Sequence, residues 1–239
     1  MHAVLLGLCA VGAAFDYQVV TVAQGGTIEG TVRWRGSPPR LQELKVTKDA
    51  TTCGHAKANQ RLIIGPQGGV ANAYVYLADV KAGAPLSPQR AVLDQKKCEY
   101  SPHVLAVPVG SRVVMRNSDP VLHSVHGALG ARTVFNLAQP VQGQRSEQVL
   151  TTPGTFAIKC DAGHPWMNAV VHVARNPYYA LTGSDGRFRL HDVPAGTYQI
   201  VMWHEGWQAS QNSVAVTYSA PAEQPRPESL APRRRSRQP

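Results

Sequence analysis

A chain of 239 residues with 43% hydrophobic and only 16% charged residues has material for packed cores and too little charge for wholesale disorder. At roughly 100–150 residues per domain, that length fits one large domain or two small ones. The net charge of +9 does not define a nucleic-acid surface, because Arg226, Arg233, Arg234, Arg235 and Arg237 crowd into the end of the chain and no aromatic-flanked basic stripe accompanies the rest.

The chain opens on a short apolar run, Ala3 to Ala14, briefer than the about 20 residues that span a bilayer. It ends in small residues and predicts a secretory signal within residues 1–23, cut after Ala14 or after Ala23, with an uncleaved buried strand as the alternative. Leu8 stands where a lipoprotein leader has a small residue, so Cys9 is not expected to carry an anchor. Gly26 to Trp34 alternates, with Ile28, Gly30, Val32 and Trp34 on one side and Thr27, Glu29, Thr31 and Arg33 on the other, as a half-buried strand does. Gly69 to Leu77 is a second strand. Val104 to Val109, Arg112 to Arg116, His123 to Val125, Gln148 to Leu150, Thr155 to Cys160 and Ala169 to Val173 follow. After Asn176-Pro177 the pattern repeats in Tyr179 to Thr182, Arg187 to Leu190, Thr197 to Trp203 and Ser213 to Tyr218. No segment keeps a helical period over three turns, and 21 Gly and 18 Pro favour short strands and turns. An all-β chain built as two β-sandwiches is therefore predicted. From Ala220 the Pro/Arg/Ser/Glu-rich stretch lacks apolar residues to offset its ordering entropy and is expected to be a disordered basic tail, 219–239.

With the leader removed, Cys53, Cys98 and Cys160 remain. In an oxidising compartment two of three are expected to pair and one thiol to have another task. Cys53 in Thr-Thr-Cys-Gly-His and Cys98 in Lys-Lys-Cys-Glu-Tyr lie in polar, turn-like settings and form the expected pair. Pairing of Cys160 with either of them stays open. Cys160 differs in ending an apolar strand and opening the loop Cys160-Asp-Ala-Gly-His164-Pro-Trp-Met167. His123 precedes it by some forty residues, in Asn117-Ser-Asp-Pro-Val-Leu-His-Ser-Val. A thiolate, two imidazoles and a thioether form the ligand set of a blue-copper centre: soft sulfur favours Cu(I), imidazole binds both oxidation states, and a weak axial Met tunes the potential.

At these residues the sequence resembles the cupredoxins, the plastocyanin, azurin and amicyanin family, over roughly Leu93 to Ala174. Tyr100-Ser-Pro-His-Val-Leu-Ala-Val-Pro-Val-Gly-Ser-Arg-Val-Val-Met-Arg-Asn117 is similar to the family's strand pair leading into an Asn and the first copper His. Val149-Leu-Thr-Thr-Pro-Gly-Thr-Phe-Ala-Ile-Lys-Cys160 is similar to its penultimate strand. The resemblance implies a Greek-key sandwich over 86–175, with His123, Cys160 and His164 as equatorial copper ligands and Met167 axial. The family often has Asn after the first ligand His. Ser124 stands there in this chain and leaves open how the two ligand loops are tied.

Zinc accepts the same donors at His123, Cys160 and His164, but would not call for Met167. A purely structural alternative makes Cys160 a disulfide partner and Met167 a core residue. His126 lies three strand positions from His123 and so faces the opposite side. His103 and His172 fit structural roles, and His55, His191 and His204 have no evident partner. No paired carboxylate, phosphate loop or nucleophile elbow accompanies Asp161, so no enzyme is expected. Trp166 and Pro165 either form an apolar surface for an electron partner or cap the sandwich end.

Thr182-Gly-Ser-Asp-Gly-Arg-Phe-Arg-Leu-His-Asp-Val-Pro-Ala-Gly-Thr-Tyr-Gln-Ile-Val-Met-Trp-His204 has two turn signals, Ser-Asp-Gly and Pro-Ala-Gly. It resembles the carboxypeptidase regulatory-like, transthyretin-like sandwich, and Gly26 to Trp34 and Gly69 to Leu77 resemble that module's opening strands. This resemblance implies a sandwich in two parts, 25–85 and 176–218, with the copper domain inserted. A tandem arrangement is the alternative. The whole then describes a periplasmic or secreted copper protein that carries single electrons between redox partner proteins, with no nucleic-acid partner and no transmembrane segment in the mature chain. The alternative is a non-redox cell-envelope module binding a glycan or protein.

Overall fold

The computed structural model describes residues 17–206 and 213–218. Most of the expected leader, with Cys9 and Ala14, and the basic tail lie outside the described residues. Among those described, the regular structure is all strand except for the one-turn helix Ala50–Cys53 and the 3-10 turn Pro66–Gly68, with turns and loops between. The expectation of an all-β chain with several sheets is met.

Residues 90–174 form two facing sheets. One runs in the order Arg145–Val149, Arg112–Asn117, Arg90–Gln95, Tyr100–Ser101. The other runs Arg132–Gln139, His123–Leu129, Gly154–Lys159, Asn168–Ala174, Val104–Pro108. In Gly154–Lys159 the period of two is plain, with Phe156 and Ile158 buried and Thr155, Ala157 and Lys159 exposed. Each of those two inward side chains contributes about 1.5–3 kcal/mol by leaving water. They meet Leu93, Val113, Met115, Val125, Leu150 and Val171 from both sheets in one core.

Arg90–Gln95 and Arg132–Gln139 are the longest of the strands additional to those predicted. Their inward faces are partly polar. Gln95 and Gln139 are fully buried and hydrogen-bonded to each other, and Gln139 also donates to the Met115 carbonyl at 3.0 Å. A hydropathy pattern does not register a strand whose core-facing residue is a buried amide.

A second unit draws strands from both sides of this sandwich. Tyr74–Ala78 is hydrogen-bonded to Tyr179–Leu181 on one edge and to Gly196–Trp203 on the other, and Gly26–Thr31 pairs with Arg187–Val193. Leu77, Val80, Tyr178, Leu190 and Val193 form one core there, and Val32, Val70, Ala73 and Val75 a second. Gly186 closes the Ser-Asp-Gly turn at φ 73°, and a Cβ on it would meet the Val32 carbonyl oxygen at 2.2 Å, so only glycine fits. Tyr17 and the strand Gln18–Val19 also join this unit, the Tyr17 hydroxyl donating to the Ala84 carbonyl at 2.5 Å.

The segment from Leu44 to Lys57 lies within the part expected to begin the flanking sandwich, yet it packs on residues 90–174. A short ladder pairs Leu44–Lys45 with Ala56–Lys57, and Val46 and Cys53 enter the core of that sandwich. Cys53 is disulfide-bonded to Cys98 and Cys160 is free, which is the predicted pairing.

Candidate metal centre

Asn117 ends a core strand and shapes the loop that delivers His123. Its amide donates to the carbonyls of Val121 and Gln139, both at 2.9 Å. Its Oδ1 accepts the Asp119 N–H at 2.9 Å. This local side-chain-to-backbone bonding from the fully buried Asn117 holds a non-strand turn whose backbone groups lack a strand partner. Asp119, itself buried, then accepts three hydrogen bonds. They come from the Lys97 N–H at 2.6 Å, the Cys98 N–H at 2.7 Å and His123 Nε2 at 2.9 Å. The last two share Oδ2. Burial favours the neutral acid at Asp119, but the bonds from His123, Cys98 and Lys97 outweigh it and lower the carboxyl below its usual range.

The loop from Cys160 to Met167 is closed by its own backbone, with Met167 N–H on the His164 carbonyl at 2.9 Å and Cys160 N–H on the Met167 carbonyl at 3.3 Å. Ser124, directly after His123, ties the loops together. Its hydroxyl accepts the Asp161 N–H at 2.7 Å, and its own N–H points at Cys160 Sγ at 3.4 Å. The question left by the absence of Asn at this position is thereby answered: the hydroxyl makes the tie. Burial opposes ionisation of Cys160, yet hydrogen bonds from His123, the Ser124 N–H, His164 and the Ala162 N–H bring the thiol down to about 6. His123 is pulled toward neutrality by burial and more strongly toward the charged form by Asp119 and Cys160, so its pKa is raised.

His123, Cys160 and His164 converge. Their ligand atoms all lie within 4.8 Å of one another and all three residues are buried. His123 Nδ1 is 3.1 Å from His164 Nδ1, which is 3.6 Å from Cys160 Sγ. Three donors bound to one ion at about 2.0–2.3 Å stand roughly 3.3–3.8 Å apart, close to these spacings. The outer nitrogens are committed elsewhere: His123 Nε2 to Asp119, and His164 Nε2 to Asp49 Oδ2 at 2.8 Å. An ionised carboxylate only accepts, so each Nε2 carries a hydrogen, and each Nδ1, the nitrogen left facing inward, is the one that can bind a metal once it has shed any proton. Two imidazole nitrogens and an acidic thiol brought together out of water can exchange their protons for one cation. The donor set therefore fits a metal ion with imidazole and thiolate preference.

Met167, the fourth predicted ligand, is buried in the same core as Cys160. A cavity of about 20 Å³ adjoins Met167 and Trp166, about the room one water needs. A second grouping, Cys98, Asp119 and His123, offers no thiolate because Cys98 is in the disulfide.

Trp166 is buried, its Nε1–H donating to the Cys98 carbonyl at 3.1 Å and its ring edge-on to His164 at 5.1 Å. It caps the sandwich end and offers no docking surface; Pro165 alone is exposed. His126 faces away from His123, bonded to Asp161 at 2.6 Å and Thr133 at 2.7 Å. His103 bonds Glu205 at 2.6 Å, and His204 bonds the Ala71 carbonyl at 3.0 Å. His172 stacks on Tyr74 with ring centres 4.1 Å apart, and burial lowers its pKa to about 3. His55 and His191 are exposed. Asp49 and Asp119, the carboxylates bonded to the outer nitrogens of the two imidazoles, are the residues that sequence reasoning missed. Asp119 had a usable signal in its place four residues before His123. Asp49 had none, lying 115 positions from His164.

No protein-family model and no curated protein matches the sequence. Among solved structures, the copper-containing nitrite reductase (NirK) from Thermus scotoductus SA-01 is 22% identical over 39% of this chain and 24% of its own, with a TM-score of 0.33. This chain thus spans about a quarter of the length of that reductase. A purple cupredoxin from Nitrosopumilus maritimus is 27% identical over 35% of this chain and 99% of its own, TM-score 0.31. Amicyanin from Paracoccus versutus is 19% identical over 38% of this chain and 85% of its own, TM-score 0.32. No helix among the described residues is long and apolar enough to cross a membrane.

Proposed function

We propose that this chain holds one copper ion through His123 Nδ1, Cys160 Sγ and His164 Nδ1, with Met167 as a weak fourth ligand, and serves as a one-electron carrier. The observation that carries this is the pair of inward-facing Nδ1 atoms 3.1 Å apart beside a thiol whose pKa is brought down to about 6. When bound, copper would supply a reversible one-electron couple, whose potential a weak thioether ligand would help tune. The chain's own part is to hold the donors still. Asn117 and Ser124 fix the two loops, Asp119 and Asp49 fix the two rings, and burial excludes water. A frame that does not rearrange between oxidation states keeps electron exchange fast.

A carrier is favoured over an enzyme because all three donors are buried. The disulfide supports a periplasmic or secreted setting, where redox proteins would be the partners. The hydrogen-bonded position of Tyr17 favours a leader cut after Ala14 over one after Ala23. For the flanking unit, we carry forward the inserted, regulatory-like arrangement with a scaffolding role.

The test is copper titration followed by voltammetry. One equivalent of tightly bound copper and a reversible one-electron wave are expected. Copper bound only weakly, or a tight preference for zinc with no wave, would overturn the proposal.

A further inference from the structure

Beyond the ligands, the segment Val46–Cys53 reaches the second ligand loop at two adjacent residues. Lys48 Nζ donates to the Ala162 carbonyl at 2.7 Å, and its chain lies over Gly163, where a Cβ would meet Lys48 Cδ at 3.1 Å. Asp49 Oδ2 takes the Nε2–H of the fully buried His164 at 2.8 Å. Asp49 sits at φ 53°, ψ 39°, in the left-handed region that Asp tolerates better than most residues. Its backbone carbonyl accepts the N–H groups of Thr52 and Cys53, both at 2.9 Å. Its carboxylate makes no bond to the helix it precedes, so that side chain serves the ring alone. Four residues on, Cys53 is bonded to Cys98, whose N–H is held by Asp119, the carboxylate on the other imidazole.

We infer that Val46–Cys53 is a disulfide-anchored clamp in which Asp49 is a positioning residue for His164, covering the ring's outer edge and fixing the tautomer that turns Nδ1 toward Cys160. The two carboxylates that orient the two imidazoles are joined through Cys53–Cys98. The bridge therefore belongs to the metal centre as well as to the fold. The metal half of this inference rests on the copper proposal; the tautomer half does not.

Two substitutions separate the roles. Asp49→Gly removes the carboxylate while suiting the positive φ, and Asp49→Asn keeps an acceptor oxygen. In the metal-free wild type, long-range proton–nitrogen NMR should find His164 in the Nε2–H form. Asp49→Gly should give mixed tautomers and a copper affinity about 10- to 100-fold weaker, the usual cost of losing such an outer partner, and Asp49→Asn should lose less. An unchanged His164 tautomer in metal-free Asp49→Gly would overturn the inference, as would a copper affinity within about twofold of wild type. If Asp49→Gly does not fold, the tautomer in wild type and Asp49→Asn still decides, an Nδ1–H form in either refuting the clamp. A wild type that binds no copper would sink the proposed function, while the metal-free tautomers would still test Asp49.

Discussion

Asp119→Asn probes the frame most sharply, because one buried carboxylate satisfies three donors. The best placement of the amide leaves its oxygen facing the Cys98 N–H and His123 Nε2, now 2.7 and 2.9 Å from Oδ2. Its NH2 group then points at the Lys97 N–H, which is 2.6 Å from Oδ1. One charge-assisted bond is lost outright, at about 1.5–3 kcal/mol. The other two become neutral, and a neutral bond has roughly half the strength. The expected loss is about 3–5 kcal/mol, which for a chain of this size lowers Tm by roughly 10 °C. Its pH dependence has a definite sign. Asp119 is held below its ordinary 3.8, so its contribution is full above that value and is lost as pH falls through the folded-state pKa. His123 is raised above 6.5, so the charged pair contributes fully below 6.5 and fades as pH rises through the folded-state value. Thermal unfolding of metal-free wild type and Asp119→Asn should therefore show the widest gap between about pH 4 and pH 6.5, narrowing on either side. A gap that stays constant across that range and beyond, or a Tm change under about 2 °C, would refute the three-bond account.

Metal-free Cys160 should ionise with a midpoint near 6, as its lowered pKa requires, followed by the ultraviolet thiolate band against Cys160→Ser as blank. The thiolate's stabilisation is full above the ordinary 9.0 and is lost as pH falls through about 6, so wild type should gain on Cys160→Ser as pH rises between those values. Gly127→Ala should destabilise by about 1–3 kcal/mol or more in denaturant unfolding. The new Cβ would lie 2.2 Å from a carbon of the Phe135 ring, which packs over Gly127 from the directly opposite strand position.

Much of this was legible in the residues. His123, Cys160 and His164 announce themselves because metal chemistry restricts donors to few residue types, and two short motifs place them. The period of two in Gly154–Lys159 and the Ser-Asp-Gly turn were equally plain. What stayed hidden depends on long-range pairing. Arg90–Gln95 and Arg132–Gln139 turn Gln95 and Gln139 inward, and a buried amide reads as surface until its partner is known. Asp49 reads as a loop residue of a different unit. Only the Cys53–Cys98 bridge and the packing of Val46 bring it against His164. Trp166, flanked by Pro165 and Met167, reads equally as surface or core, and its bond to the Cys98 carbonyl decides for core.

The visible spectrum of the Cu(II)-loaded protein, compared with that of Cys160→Ser, tests the central claim most directly. A buried thiolate bound to copper beside two imidazoles should give wild type an intense thiolate-to-copper absorption that vanishes in Cys160→Ser with the fold retained. A colourless Cu(II)-loaded wild type, or a band that survives the substitution, would contradict it.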